Sequence, residues 1–135
     1  MCDIQSMNFA STALSVALIG ASDNPARYAY MAMQMLEDYG HTVHLMSPRL
    51  TSIAGRPVYS DISILAAKNT PIHTVTLYVG PTISTRLAQG LIELSPHRVI
   101  FNPGAENTAL QQQLAENGIA VLEACTLVML RTGAF

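Results

Sequence analysis

Short unbroken apolar runs alternate along this chain with longer segments whose apolar residues recur every three or four positions. Residues 16–19 (VALI) form a run closed by Gly20, which predicts a strand buried on both faces. Asn24 then stands where it caps a helix, with Pro25 at the first helical position, where a missing N–H costs nothing. Tyr28, Met31, Ala32, Met35, Leu36 and Tyr39 fall on one stripe of that helix, and Gly40 stops it. Residues 42–46 predict a second strand, ended by Ser47-Pro48-Arg49. The stretch 50–72 is less regular: Val58-Tyr59 reads as a short third strand, and Asp61 as the cap of a brief helical turn through Ile62 and Leu65. Residues 73–79 are β-branched and aromatic, the clearest strand of the chain, and Gly80-Pro81 ends it. A helix is predicted over 82–94, with Ile83, Leu87, Leu91 and Leu94 on one face. A strand over 98–101, a helix over 106–116, a last strand over 119–122 and a closing helix over 124–131 complete the order.

Strand and helix in alternation, joined by short links, imply parallel pairing through right-handed crossovers. The expected fold is therefore α/β: a doubly wound, mainly parallel five- or six-stranded sheet with helices on both faces. Residues 15–135 are read as a single domain and 1–14 as an N-terminal tail; the sequence leaves open whether the first dozen residues are disordered or pack as an extra element.

Composition narrows the function classes. A chain of 135 residues has room for one good core, and with 50% hydrophobic and 12% charged residues it is not a disordered one. A formal charge of −2 with seven Lys+Arg gives no basic stripe, which argues against nucleic acid as a partner. No apolar stretch approaches the roughly 18 residues that a membrane span requires. The opening MCDIQSMNFASTALS lacks the basic start of a signal peptide, and a cytoplasmic location is expected. Cys2 and Cys125 lie far apart, so reduced thiols fit better than a disulfide. His41, His44, His73 and His97 show no metal-ligand spacing and read as surface or edge-of-core residues.

In a doubly wound sheet, ligands bind beyond the carboxyl ends of the strands, where strand order reverses. That rule selects the loops 20–27, 47–49, 80–82 and 102–107, which are rich in Gly, Pro and small polar residues and poor in acids. The first resembles a dinucleotide fingerprint that has kept one glycine: Gly20 stays, Ser22 takes the second glycine's place and Pro25 the third's. The Ser22 hydroxyl and the helix start both favour phosphate, and Arg27, placed in the first helical turn against the dipole, is either a phosphate partner or simply a solvent-exposed side chain. An NAD site expects an acid near the end of the second strand; this chain has Ser47-Pro48-Arg49, which suits a phosphorylated ribose instead. That leaves NADP, with its 2′-phosphate, or coenzyme A, with its 3′-phosphate. Cys125, at the start of the last helix, is either a thiol made reactive by the helix terminus or an inert buried one. No catalytic triad, metal motif or Walker loop is present.

The segments GASDNPARY, SPR followed by GRPVY, VTLYVGP, NPGAEN and ACTLVML, in this order and spacing, resemble the small CoA-binding-domain family. That family is related to the N-terminal domain of the succinyl-CoA synthetase alpha subunit, and the resemblance covers residues 15 to about 133. It implies a Rossmann-like domain holding coenzyme A, or an acyl-CoA, among the strand-end loops. Carried over by position, Gly20, Ala21, Ser22 and Asn24 would line the phosphate turn with Arg27 close by. Ser47, Pro48 and Arg49 would face the adenosine and its 3′-phosphate, and Gly80, Pro81 and Thr82 the pantetheine path. Asn102, Pro103, Gly104, Glu106 and Asn107 would form the far side, and Cys125, if it faced the cleft, would meet the CoA thiol. The synthetase subunit has a second domain bearing a phosphorylated histidine, and this chain shows no counterpart, so that catalysis is not inherited. The expectation is a nucleotide-ligand binding protein that is non-catalytic or acts with an unknown partner. The alternatives are a small NADP-dependent oxidoreductase or a regulatory protein using the fold for another nucleotide. A homodimer and an unknown protein partner both stay open.

Overall fold

A computed structural model describes residues 13–135, so the expectations for most of the tail, Cys2 included, lie outside the described residues. The strands are β1 (Ser15–Ile19), β2 (Thr42–Met46), β3 (Ser52–Ile53), β4 (Arg56–Tyr59), β5 (Thr74–Leu77), β6 (Arg98–Phe101) and β7 (Ala120–Glu123). They form one sheet in the order β3-β4-β2-β1-β5-β6-β7, parallel except for the β3–β4 pair. The helices are α1 (Tyr28–Asp38), α2 (Ser63–Ala67), α3 (Pro81–Ser84), α4 (Ala88–Leu94), α5 (Thr108–Glu116) and α6 (Thr126–Thr132). From β1 the chain steps outward through β2 to β4, crosses back to β5 on the other side of β1, and steps outward again. The reversal between β1 and β5 is the doubly wound topology expected from the alternation.

Successive strand residues face opposite layers. Val16 and Leu18 pack with Ala32, Met33, Leu36, Leu127 and Leu130, so α1 and α6 cover one face. Ala17 and Ile19 pack with Leu65, Leu91, Leu110 and Leu114, so α2, α4 and α5 cover the other. The central strands β1, β5 and β6 are buried on both sides, so β1 and β6 carry continuous apolar runs, while β5 buries Thr74 and Thr76 beside Val16 and Leu18.

Three expectations are corrected. The sheet has seven strands, not five or six, because β3 pairs antiparallel with β4 around the two-residue turn Ala54-Gly55, both at positive φ (48° and 81°). Such turns usually announce themselves by Asn or Asp at the first position, and Ala54 gives no such signal. Second, α1 starts at Tyr28 with Arg27 as its N-cap, and neither Asn24 nor Pro25 belongs to it. The Ser22 hydroxyl accepts from Asn24 N–H and the Asn24 side chain accepts from Ala26 N–H, so these residues close a local turn, while Arg27 is extended (φ −83°, ψ 144°). Third, the helix expected over 82–94 is three pieces: α3, a 3-10 turn at Thr85–Leu87, and α4. The break falls where Asn107 Nδ2 donates to Ser84 Oγ (2.9 Å) and Thr85 Oγ1 (3.0 Å).

Candidate functional site

The carboxyl ends of β1 and β5 flank the point where strand order reverses, and Gly20 shapes it. Its φ is +91°, and a Cβ there would lie 2.9 Å from both the Tyr78 carbonyl oxygen and Val79 Cγ1. Only glycine meets both conditions, so the two strand ends can approach each other closely. The N–H groups of Gly20 and Ala21 both donate to the Met46 carbonyl (3.1 and 3.0 Å), tying the loop to the end of β2. Those two amides are therefore occupied. Among the described residues, Ser22 and Asp23 N–H have no protein acceptor, and neither have Tyr28 and Ala29 N–H at the start of α1, a helix with no acid in its first turn; the next two amides, of Tyr30 and Met31, donate to the Arg27 carbonyl.

Beside this turn, on the α2/α4 face, lies a cleft of about 520 Å³. Its floor is Ile19, Gly20 and Met46, and one lip is Ser47-Pro48. The second lip is residues 60–63, leading into α2, where Asp61 Oδ1 accepts from Ser63 N–H at 3.0 Å. The third wall is Val79 and Ile83 with Arg86, Leu87, Gln89, Gly90 and Glu93 from the broken helix. The interior is largely apolar. Two carboxylates, Asp61 and Glu93, line it against one cation, Arg86.

Of the residues expected from the sequence, Gly20, Ser47 and Pro48 line this cleft. Ser47 is buried, and its hydroxyl accepts from Arg49 N–H at 3.3 Å, which fixes the turn carrying the exposed Arg49. Ser22, Asn24 and Arg27 lie on the neighbouring β1–α1 loop, while Ala21 packs toward the α1/α6 core. Gly80 is the N-cap of α3, its carbonyl accepting from Ile83 and Ser84 N–H, with Pro81 and Thr82 exposed in the first turn.

On the far side the two asparagines are engaged within the protein. Asn102 is buried; its Nδ2 donates to Thr76 Oγ1 (2.7 Å) and the Leu77 carbonyl (2.8 Å), and its Oδ1 accepts from Thr126 N–H (2.9 Å). It thus caps α6 from another element, a service the N-cap residue Cys125 does not perform. Asn107 caps α5 by accepting from Leu110 N–H (3.1 Å), besides holding Ser84 and Thr85. Pro103, Gly104 and Glu106 are exposed, with Glu106 Oε1 accepting from Gly104 N–H. Cys125 is half-buried against the α1/α6 core, beside Tyr78 on the opposite face from the cleft. Burial pushes the Tyr78 phenol up to about 12, against the opposing pull of the Thr126 and Thr76 hydroxyls, so it stays a donor at neutral pH.

The sequence reading missed the cleft's second and third walls. Residues 60–63 were within reach, since they follow the carboxyl end of the strand expected at Val58-Tyr59. The α4 residues carry no signal, because they look like any helix face until that helix is placed beside α2. Among the described residues no three His, Cys, Asp or Glu side chains gather as a metal site, and no helix is long and apolar enough to cross a membrane.

A comparison with curated proteins returns no match. A crystal structure of an uncharacterized protein is 33% identical and covers 92% of this chain and 99% of its own, with a TM-score of 0.82. A Thermus thermophilus protein covers all of both chains at 22% identity and a TM-score of 0.81, a likeness of fold. An NADPH-dependent glyoxylate/hydroxypyruvate reductase from Sinorhizobium meliloti also shares the fold, at 19% identity over 84% of this chain and 36% of its own, with a TM-score of 0.58. The CoA binding domain family matches residues 14–131. With nearly the whole chain matched and the doubly wound sheet in place, this protein belongs to the CoA-binding-domain family.

Proposed function

We propose that this protein binds coenzyme A at the β1–β5 crevice, with the uncharged part of the ligand in the cleft and its phosphates outside on the β1–α1 loop. The observation that carries this reading is the division of the crevice. The cleft is largely apolar and lined by Asp61 and Glu93 against the single cation Arg86, a net negative charge that disfavours phosphate, whereas the adjoining loop balances Asp23 with the exposed Arg27 and adds the free amides of Ser22 and Asp23 and the uncapped start of α1. Arg49, on the turn braced by Ser47, is the candidate partner of the 3′-phosphate. In this reading Gly20, Ser22, Arg27, Ser47, Pro48 and Arg49 form the site with residues 60–63 and α4. Asn102 and Asn107 hold the scaffold. The protein acts as a binding module, with any reaction supplied by a partner.

The same arginine would suit the 2′-phosphate of NADP, so the test compares ligands. Titration calorimetry is expected to show CoA binding more tightly than 3′-dephospho-CoA. Arg49→Ala should weaken CoA about tenfold, the loss of one charge-assisted contact, and leave 3′-dephospho-CoA unchanged. Equal affinities for the two ligands would remove the role given to Arg49. Binding of NADPH with none of CoA would overturn the reading.

A further inference from the structure

Gly90 lies inside α4, where glycine is a poorer helix former than almost any other residue. Its φ is not in the left-handed region, so backbone conformation does not call for it. Packing does. A Cβ at position 90 would come within 2.6 Å of Ile62 Cγ2, closer than real Cβ atoms approach any neighbour. Ile62 cannot simply turn aside: it is β-branched, 3% exposed, and packed in the same core as Leu65 and Leu91. Both Gly90 and Ile62 line the cleft, one at the α4 wall and the other at the entrance to α2.

We propose that Gly90 is a positioning residue that sets the width of the cleft, because it alone lets α4 lie directly against Ile62. The inference rests on the cleft being the ligand site, as proposed above. A normal carbon–carbon contact is about 3.5–4.0 Å, so any larger residue displaces α4 from Ile62 by about 1 Å. That shift carries Gln89 and Glu93 with it, and the wall formed with Asp61 and Ser63 no longer closes on the ligand. A mismatch of this size is enough to loosen a site held by packing.

The test uses three variants of the full chain: Gly90→Ala, Ile62→Leu, and the two together. Leucine keeps the volume of isoleucine but lacks the Cγ2 branch, so it removes the collision without opening a cavity. Gly90→Ala is expected to keep the native circular dichroism spectrum and to bind CoA at least about tenfold more weakly than wild type. The double variant should recover to within about threefold of Ile62→Leu alone. Wild-type affinity in Gly90→Ala, or no recovery in the double variant, overturns the proposal. Should Gly90→Ala fail to fold, the double variant must still fold and bind, or the proposal falls. If the wild type binds no CoA, the ligand reading fails by itself, and a crystal structure of Gly90→Ala decides this one. An α4 moved away from Ile62 with the cleft widened supports it; an unmoved α4 beside a rotated Ile62 overturns it.

Discussion

Asn102→Ala separates a scaffold residue from a ligand residue. Three hydrogen bonds disappear with the side chain: to Thr76 Oγ1, to the Leu77 carbonyl and from Thr126 N–H. The Thr76 hydroxyl keeps its partner in Thr126 Oγ1 (2.8 Å). The Leu77 carbonyl keeps only the long Asn102 N–H contact (3.4 Å), and Thr126 N–H, at the start of α6, keeps nothing. Orphaning a buried polar group costs about 1–3 kcal/mol, so two such groups, one only partly orphaned, give a loss of about 3 kcal/mol. For a domain of this size that is a fall in Tm of roughly 10 °C, or a shift of about 1.5 M in the urea midpoint at an ordinary m-value. Unfolding is followed by circular dichroism, and CoA binding is measured at a temperature where the variant is fully folded. The expected outcome is a large stability loss with affinity for CoA nearly kept. A Tm within about 2 °C of wild type together with lost CoA binding would refute the reasoning and return Asn102 to the ligand wall.

Two further outcomes test the geometry elsewhere. Gly20→Ala must adopt φ near +91° and force a Cβ against the Tyr78 carbonyl. A loss of at least about 2 kcal/mol in urea unfolding is expected, and a neutral result would show that the β1–β5 ends are not held as described. Burial holds His41 and His73, just before β2 and β5, and His44, in the middle of β2, below the ordinary histidine range, reinforced by Arg98 for His41, by Lys68 for His44, and by Arg98 and then His97 for His73. The unfolded chain takes up these protons near pH 6.5 and the folded chain resists them, so the stability is complete above that pH and is lost as the pH falls below it. Geometry agrees: Leu14 N–H donates to His41 Nδ1, which protonation would block, and His73 stacks on His97 with ring centroids 4.8 Å apart. The urea midpoint should fall between pH 7.5 and 5.5, with a smaller fall in His73→Gln; a flat profile would refute the assignment.

The alternation of strand-like runs and helical stripes was enough to place six strands, because a strand buried on both faces is apolar or β-branched along its length, as in β5 with its buried Thr74 and Thr76, and a helix on a sheet must be apolar on one side. The rule that ligands gather where strand order reverses then pointed to Gly20, Ser47 and Pro48, which do line the cleft. These features are local or follow from topology, so one sequence carries them. Which polar side chains face outward is a different kind of fact. Asn102 and Asn107 stand in the expected loops, yet Asn102 spends its whole amide on groups 24 to 26 residues away in the chain. Asn107 caps its own helix at Leu110 with Oδ1 but commits its Nδ2 to hydroxyls 22 and 23 residues away. Those distant partners do not show in the local sequence. The same holds for Gly90, an unremarkable helix residue until α4 is laid against Ile62. The sequence by itself determined the layers and the edge on which to look. Only the tertiary structure decided which polar groups there are already paired within the protein and which are left free, since long-range contacts fix whether a polar group has a partner left to find.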